Sequence, residues 1–535
     1  MKKNGFTLIE LLAVIIILAV IALIATPIVL NVVDSAKESA RKSSVAGFAD
    51  AMKLGVSDYM FQNSGDLPTI DEDFQKKYNS KGESVICEGV YSTDSYGIVL
   101  HNCKVGMDTT NYCFAKGNHY ACDDTTYNSM LEYAKNGVKP EIIVQPNAPE
   151  LLDNMIPVKY ETDHWVYANT SQEWYDYDKK EWANAIVLKS GVTKTVGQTI
   201  TEDDIALWYV WIPRYKYTIF NGNNERIPEQ EIKVTFEKGT AKTGTVTCTT
   251  STNGSNNPSS SETCVDSTNG SIINGTSTYT HPAFTFGDKE LTGIWVGKFK
   301  NSGTIDNMLI GPNLVALSCA NVSIAFTSIY NIKGVYNISN GDSHMMKSME
   351  WGAAAYLKQS KYGLGITNVG INNNSNYITG CGASAGSSQS TTCDTYNTAN
   401  GMLASTTGNI YGIYDMSGGL YEYVMGNMVN SKNEFYSGDA GFTSAPNSKY
   451  YDSYTYGKLY TDGQVFTRGK LGDATKEIIA KEGNNYNGWY NTSTTFIYDS
   501  SAPGGPWLVR NNNGIFGFFG QTGAVYGSRS VLVSE

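Results

Sequence analysis

The hydrophobic and polar residues near the start of the chain predict one long helix. Residues 11–33 contain no charged side chain, and a helix needs roughly 20 apolar residues to span a bilayer. The polar residues 34–42 contain neither Gly nor Pro, so the helix is expected to continue to residue 60. Five residues then recur at steps of three and four and predict one apolar face: Val45, Phe48, Met52, Val56 and Tyr59. The turn-forming segment Asn63-Ser-Gly-Asp-Leu-Pro68 predicts the end of the helix.

Two short segments after this helix predict strands. They cover Ser84–Cys87 and Tyr96–Leu100. We therefore expect residues 61–139 to form a small head, in which the helix packs on an antiparallel sheet.

Prolines separate this head from the rest of the chain. They stand at positions 140, 146, 149 and 157 and indicate a linker. In residues 163–188 aromatic side chains alternate with polar ones, and Asp178-Lys-Lys is typical of a hairpin tip. Residues 140–205 are therefore predicted to form a linker and a small β module. Its aromatic residues are explained either by cross-strand packing or by a sugar-binding strip.

The third region, residues 206–535, alternates strand and loop patterns. Strands are predicted at Leu207–Ile219 and Gly293–Phe299, and a helix at Ser343–Leu357 with His344 near its start as a capping or surface group. Residues Gly239–Thr280 are too polar to bury a core and are predicted to form an exposed insertion. Helices and strands together predict an α+β fold.

Composition and charge argue against a nucleic-acid partner. The formal net charge is −11. It becomes −13 if the first residues are cleaved off together with Lys2 and Lys3, and the rest of the chain contains no basic run. Tyr outnumbers Phe by 36 to 18 and Gly reaches 53, a balance that suits loop-rich surfaces with amphipathic aromatic groups. A chain of 535 residues exceeds what one core usually holds, so two or three domains are expected.

The cysteines favour an oxidising compartment. Four of the nine cluster in the head, with open connectivity: Cys87, Cys103, Cys113 and Cys122. Cys248–Cys264 and Cys381–Cys393 each bracket a polar loop, and a disulfide that closes a loop of this size contributes about 3 kcal/mol. Cys319 is then left over and is expected to be free and buried. None of the spacings is the C-x-x-C of a zinc site, and nine reduced core cysteines are the alternative.

A carboxylate stands at the start of the apolar run, where it is costly unless it meets a cation. Basic residues and Gly5 precede Phe6-Thr-Leu-Ile-Glu10, and Pro27 lies near the end of the run. This pattern resembles the class III leader of type IV prepilins and pseudopilins. The resemblance implies that a prepilin peptidase cuts after Gly5 and that Phe6 becomes methylated. Glu10 would then guide assembly with other pilin subunits.

This resemblance also assigns the first residues to segments. Residues 1–5 would be the leader peptide and residues 6–60 the pilin helix, with the membrane segment at 11–33. Residues 61–139 would be the pilin-like head. The subunit would reside in the inner (cytoplasmic) membrane before assembly and then at the cell surface, in an extracellular pilus. A plain signal anchor is the alternative.

A second resemblance concerns the last part of the chain. Tyr411-Gly-Ile-Tyr-Asp-Met-Ser-Gly-Gly-Leu-Tyr-Glu-Tyr-Val424 is similar to the signature Gly-Leu-Tyr-Asp-Met-Ser-Gly-Asn-Val-Trp-Glu-Trp of the formylglycine-generating-enzyme (sulfatase-modifying-factor) family. The order of sequence elements along the family is also matched by Met-Glu-Trp around Glu350 and by the segments 506–514 and 527–532. The resemblance covers about residues 290–535 and implies a C-type-lectin-like α+β domain. An unrelated Gly/Tyr-rich β domain is the alternative.

The second resemblance implies a calcium site. Its ligands would be the side chains of Asp415 and Glu422 and the backbone oxygens of Gly418 and Leu420, and hard oxygen ligands suit Ca²⁺. The sequence departs from the family at Gly419-Leu-Tyr421 and at Asn511-Asn512, where the family has Asn-Val-Trp and Gly-Gly. A Glu422 bonded to the turn backbone without a metal is therefore the alternative.

No catalytic residue is predicted. Formylglycine generation needs a redox-active cysteine pair in the C-terminal stretch, whereas the last cysteine of this chain is Cys393. The sequence contains neither G-x-S-x-G nor H-E-x-x-H.

The C-terminal residues 509–529 are the predicted ligand-binding segment. They mix aromatic residues, amides and glycines with two arginines and no acid, which is typical of a recognition surface. Five residues are expected to make exposed contacts: Asn512, Asn513, Phe518, Gln521 and Tyr526. Burial of the aromatic residues is the alternative.

Taken together, the sequence predicts a surface-displayed pilin-like subunit with a lectin-like adhesion domain for an unknown extracellular ligand. A structural pseudopilin of a secretion or DNA-uptake machine is the alternative. An enzyme of the sulfatase-modifying-factor family with altered chemistry is a weaker one.

Overall fold

The computed structural model of the protein describes residues 37–535 with gaps. The described residues are 37–63, 68–78, 84–93, 97–115, 118–120, 122–123, 126–128, 130–131, 145–172, 174–218, 230–244, 246–252, 260–266, 277–319, 321–429, 434–437, 440–454, 465–468, 470–474, 495–498, 507–510, 516–518 and 526–535. The backbone alone is described for 92–93, 97, 118, 247–252, 260–266, 428, 465–468, 495–498 and 516–518. The predicted leader, Gly5, Phe6, Glu10 and the membrane segment 11–33 lie outside the described residues.

The chain divides into two compact units, Met1–Ile143 and Val144–Glu535. Both combine helices with sheets, and among the described residues sheet predominates in the second unit. Helices α1 to α5 cover 37–62, Glu72–Tyr78, Val322–Tyr330, Ile332–Val335 and Ser348–Lys358. Short 3-10 turns lie at Glu202–Asp204, Pro282–Phe284, Gly401–Ala404 and Ser448–Tyr450. None of the helices in the described part of the chain combines the length and apolar character that crossing a bilayer requires.

In the first unit α1 supplies one side of the core. Strands β1 to β4 form an antiparallel sheet in chain order and cover Val85–Thr93, Gly97–Val105, Tyr112–Ala115 and Asn118–Tyr120. Val45, Phe48, Met52 and Val56 of α1 are buried in one cluster with residues of β1 to β3. The predicted apolar face is therefore confirmed for these four residues, while Tyr59 is only partly buried, and the helix end before Asn63 is confirmed.

Two disulfides close the sheet of the first unit. Cys87 in β1 bonds Cys103 in β2, and Cys113 in β3 bonds Cys122. These pairs settle the connectivity that the sequence left open. Both predicted strands are present and extend beyond the predicted bounds, because β1 and β2 pair along almost their whole length.

The second unit contains the remaining strands. β5 to β15 cover Ile156–Glu161, His164–Tyr167, Asn184–Leu188, Ile205–Pro213, Tyr215–Thr218, Val234–Phe236, Val246–Thr252, Ser260–Asp266, Thr278–Thr280, Thr285–Phe286 and Lys289–Glu290. β16 to β27 cover Gly293–Gly297, Ser302–Gly303, Met308–Leu309, Gly341–Met345, Tyr421–Met428, Asp452–Tyr454, Val465–Arg468, Thr495–Tyr498, Trp507–Arg510, Phe516–Phe518, Tyr526–Ser528 and Ser530–Ser534.

One seven-stranded sheet joins regions that the sequence assigned to different domains. Its order is β19-β27-β16-β8-β7-β5-β6, and all neighbours are antiparallel. The prediction of a separate β module at 140–205 is wrong, because β7 pairs with β8 from Asn184↔Val210 onward. The bulky side chains of β8 are buried along its entire length. Pairing with β7 and β16 on its two edges satisfies its backbone.

The predicted strand at Leu207–Ile219 is two strands. The chain leaves the large sheet at Arg214, whose buried guanidinium donates to the carboxylates of Glu237 and Glu290, at 3.0 Å each. β9 then pairs with β10 and β13 in a three-stranded sheet. The polar insertion is accordingly shorter than predicted, since β13 belongs to this sheet and buries Tyr279 and Thr280.

The helix predicted at Ser343–Leu357 is a strand followed by a helix. β19 pairs with β27 in the large sheet, and α5 begins only at Ser348. The carboxylate of Glu350 accepts the backbone N–H of Lys347 at 2.7 Å, which caps the first turn of α5. His344 is therefore buried in a strand, and its predicted role as a capping or surface group is wrong.

A five-stranded sheet carries the C-terminal segment. β20 lies between β21, which is parallel to it, and β24, which is antiparallel. β25 continues the sheet beyond β24, and β26 runs parallel to β20. Residues 411–420, which lead into β20, are called the signature loop below.

Candidate functional site

The signature loop has a backbone conformation that few residues accept. Gly418 and Gly419 have φ values of 82° and 69°, and Asp415 is also left-handed at 59°. A Cβ atom at Gly418 would lie 2.2 Å from the backbone oxygen of Asn372. The two glycines are thus required by the turn, and the turn aims the carbonyl oxygens of Gly418 and Leu420 at one point.

A lysine ammonium group lies at that point. Lys300 follows β16 and is buried. Its Nζ donates to the carbonyl oxygen of Gly418 at 2.7 Å and also to that of Leu420. Burial lowers the pKa of Lys300 to about 8, although the nearby carboxylates of Glu422 and Asp415 favour the charged form. Both predicted backbone ligands of calcium therefore bind a cation of the protein itself.

The two predicted carboxylate ligands also have protein partners. Asp415 accepts from the amide Nδ2 of Asn372 at 2.7 Å and from the backbone N–H of Gly380 at 3.0 Å. Burial raises the pKa of Asp415, and Lys300 opposes this shift. Glu422 accepts from Nε of Arg529 at 3.0 Å. The structure therefore places the four predicted ligands around one buried site.

These residues do not fit a calcium ion as arranged. Ca²⁺ takes six to eight oxygen ligands, whereas the two carbonyl oxygens are bound to Lys300 and Glu422 is bound to Arg529. A divalent ion would have to enter beside two buried cations. Among the described residues, no group of three or more His, Cys, Asp or Glu could hold a metal ion.

A second buried lysine binds the start of the signature loop. Nζ of Lys298 donates to the carbonyl oxygens of Ile410 at 2.6 Å and Gly412 at 3.1 Å, and to Oδ1 of Asn184 at 2.9 Å. Three acceptors match the three protons of an ammonium group. The rings of Trp165, Trp208 and Tyr414 surround the nitrogen at 5.2 to 5.4 Å. Burial lowers the pKa of Lys298 well below its ordinary value.

Arg529, a residue near the C-terminus, also binds the signature loop. Besides Glu422, its guanidinium donates to the carbonyl oxygens of Gly297 at 2.7 Å and Tyr414 at 3.0 Å. We call Lys298, Lys300 and Arg529 the cation clamp. Sequence reasoning assigned Lys298 and Lys300 no role and counted Arg529 in the predicted binding segment, whereas the structure buries it. The available signal was Lys298-Phe-Lys300, in which charged residues continue a buried apolar strand.

The predicted ligand-binding segment is described only in part. Asn512, Asn513 and Gln521 lie outside the described residues, and of Phe518 only the backbone is described, in β25 opposite Leu508. Tyr526 is 7 % exposed, and its ring stacks on Tyr421 with the centroids 5.6 Å apart. The prediction that Tyr526 is an exposed contact is therefore wrong, because the pairing of β26 with β20 packs its side chain against that strand.

His344 belongs to a buried ionic cluster. Its ring nitrogens face Oδ1 of Asp342 at 3.3 Å and Oε1 of Glu350 at 2.9 Å. Although burial lowers the pKa of His344, the two carboxylates raise it above its ordinary value. Burial would raise the pKa of Asp342, but hydrogen bonds and charge from His344, together with Lys449 and Tyr450, lower it to about 2. This cluster ties β19 to α5 and to the turn at Ser448–Tyr450.

An open cavity of about 650 Å³ lies beside the hairpin predicted at Asp178. Asp176 pairs with Glu181, which confirms the hairpin. Trp174 and Tyr177 are buried, and the hydroxyl of Tyr177 donates to the carbonyl oxygen of Trp211 at 2.7 Å. These two aromatic residues therefore pack into the core, as the packing interpretation predicted. The cavity wall also includes Thr170, Gln172, Tyr175 and Lys238.

The cysteines of the second unit follow the sequence prediction where their side chains are described. Cys381 bonds Cys393, and Cys319 is free and buried. Burial raises the pKa of the Cys319 thiol to about 11, so it is not activated as a thiolate. Cys248 and Cys264 are opposite each other in β11 and β12, but their side chains lie outside the described ones.

One comparison with known proteins bears on the start of the chain. Residues 1–26 match the family described as the prokaryotic N-terminal methylation motif. The chain thus carries a type IV pilin-like N-terminus, which implies processing by a prepilin peptidase and assembly with other pilins. No curated protein matches the chain.

Proposed function

We propose that the protein is a surface-displayed subunit of a type IV pilus whose second unit, Val144–Glu535, is a C-type-lectin-like adhesion domain. The observation that carries the proposal is the methylation motif at residues 1–26. A pilin-type N-terminus inserts its subunit into an assembly through the first helix, so the rest of the chain is displayed on that assembly. The second unit has its own core and would be the displayed part.

Two features of the second unit support ligand binding. Loops on a rigid scaffold are the usual place for recognition, and the cation clamp holds β26, which lies at the end of the predicted binding segment 509–529. The cavity at the Asp178 hairpin has the size of a small-molecule site. Asn512, Asn513, Phe518 and Gln521 remain the proposed contacts. Tyr526 is withdrawn from this set because it is buried.

The display part of the proposal is tested by antibody labelling against the second unit. Intact cells that produce the full chain should be labelled on their surface, and electron microscopy should show the label on extended fibres. A Glu10→Ala strain is the matched control, since its subunit is expected to be cleaved but not assembled. Label confined to the cell envelope, without fibres, would instead identify a structural pseudopilin.

The adhesion part is tested on cells whose fibres have been verified. Asn512, Asn513 and Gln521 are replaced together with alanine, and adherence is compared with that of the parent strain. Asn397 and Asn400 are exposed elsewhere on the second unit, and their joint replacement with alanine is the matched control. Adherence should fall only in the first variant, with no change in melting temperature. Unchanged adherence would exclude this segment as the binding face.

A further inference from the structure

The buried site at the signature loop contains a cation of the protein where the second resemblance implies a metal. Nζ of Lys300 binds the two carbonyl oxygens that were predicted as calcium ligands. Asp415 and Glu422, the other two predicted ligands, lie close enough to act on it electrostatically. We infer that the ammonium group of Lys300 takes the place of a calcium ion, so that the second unit folds without a metal.

The charges of the site support this inference. Asp415 and Glu422 bring two carboxylates, and Lys300 and Arg529 bring two cations. A calcium ion added to this set would leave two uncompensated positive charges among buried side chains, which is strongly unfavourable. Lys300 and Arg529 together balance the two carboxylates without a metal.

The covalent connection of Lys300 makes the replacement effective. Lys298 and Lys300 are two positions apart, and each binds two carbonyl oxygens of the segment from Ile410 to Leu420. Phe299, between them, stacks on Tyr414 with the ring centroids 5.3 Å apart. A tethered ammonium group does not dissociate, whereas a metal leaves when its concentration falls. The loop and the adjacent β26 therefore keep their positions in calcium-poor surroundings.

The inference does not depend on the proposed adhesive role, and melting temperatures of the purified full chain test it. The wild-type protein should melt at the same temperature in millimolar calcium and in excess chelator, because a ligand that binds only the folded state would raise that temperature. Lys300→Ala removes the ammonium group and opens space for an ion. We expect it to melt several degrees lower in chelator and to regain part of this loss in calcium.

Lys300→Met is the matched control. Methionine also lacks the charge but fills most of the space, so this variant should melt lower than the wild type and should not respond to calcium. Luminescence of bound terbium, a calcium substitute, should appear in Lys300→Ala alone.

Three results would overturn the inference. They are a wild-type melting temperature that falls in chelator and recovers in calcium, a folded Lys300→Ala variant that calcium does not stabilise, and a Lys300→Met variant as stable as the wild type. If Lys300→Ala does not fold, the wild-type measurement and Lys300→Met decide the question.

Discussion

Replacing Glu422 with glutamine should strongly destabilise the second unit, because the guanidinium of Arg529 would lose its carboxylate while staying buried. Arg529 is fully buried and donates to Oε1 of Glu422 at 3.0 Å and to Oε2 at 3.4 Å. Removing one partner of a buried ion pair costs about 3–5 kcal/mol. Glutamine keeps the size and one acceptor oxygen, so we expect a loss of about 3 kcal/mol in the free energy of unfolding.

The reciprocal variant shows whether the two side chains act as a pair. Arg529→Met leaves the Glu422 carboxylate buried and removes the donor to the carbonyl oxygens of Gly297 and Tyr414. Each buried acceptor left unsatisfied costs about 1–3 kcal/mol, so this loss should be at least as large. The double variant Glu422→Gln/Arg529→Met has no unpaired member of the pair. It should be less destabilised than the sum of the single variants, by about 1–3 kcal/mol.

Tryptophan fluorescence, followed as the guanidinium concentration rises, reports the unfolding of the second unit alone. All nine tryptophans lie between positions 165 and 507, inside Val144–Glu535. Lys179→Ala is the control, because Lys179 is 71 % exposed and pairs with Asp176 at 2.7 Å. An exposed pair contributes no more than about 1 kcal/mol. Additive losses in the double variant, or a Glu422→Gln loss no larger than that of the control, would refute the reasoning.

Three further predictions concern other parts of the chain. Gly5→Val should leave an uncut precursor, and Glu10→Ala should give a cleaved subunit that assembles poorly. N-terminal sequencing should find a mature wild-type chain that starts at Phe6, and any other start would contradict the pilin assignment. Asp342 has its pKa lowered from 3.8 to about 2 in the folded protein, so its stabilisation of about 2 kcal/mol is present above pH 4 and is lost as the pH falls towards 2. Unfolding curves of wild type and Asp342→Asn should therefore converge over that range, and parallel curves would show that Asp342 is not linked to folding in this way. Gly352→Ala should lower the melting temperature, because the new Cβ would lie 1.9 Å from the backbone oxygen of Gly472. The control Gly334→Ala should leave the melting temperature nearly unchanged, because its Cβ would meet nothing within 4 Å.

Local patterns in the sequence were sufficient for α1, β1 and β2 of the first unit and for the N-terminal motif, but not for α2, β3 and β4. The buried face of α1 follows from the spacing of Val45, Phe48, Met52 and Val56, because residues three and four apart share one face of a helix. The leader is a linear motif, so reading it requires no fold. The paired cysteines Cys381 and Cys393 were likewise near neighbours along the chain.

Only the tertiary structure decided how distant segments meet. Which strand lies beside β7 is a long-range pairing, and the alternation of residues 163–188 does not specify it. Lys300 reaches Gly418 across 118 residues of sequence, and Arg529 reaches Glu422 across 107. A lysine is ordinarily a surface residue, and Lys300 can be buried because two carbonyl oxygens, distant in sequence, accept hydrogen bonds from its ammonium group. The sequence could therefore single out Gly418 and Leu420, whereas the cation that their carbonyl oxygens bind was determined by the packing of the residues after β16 against the signature loop.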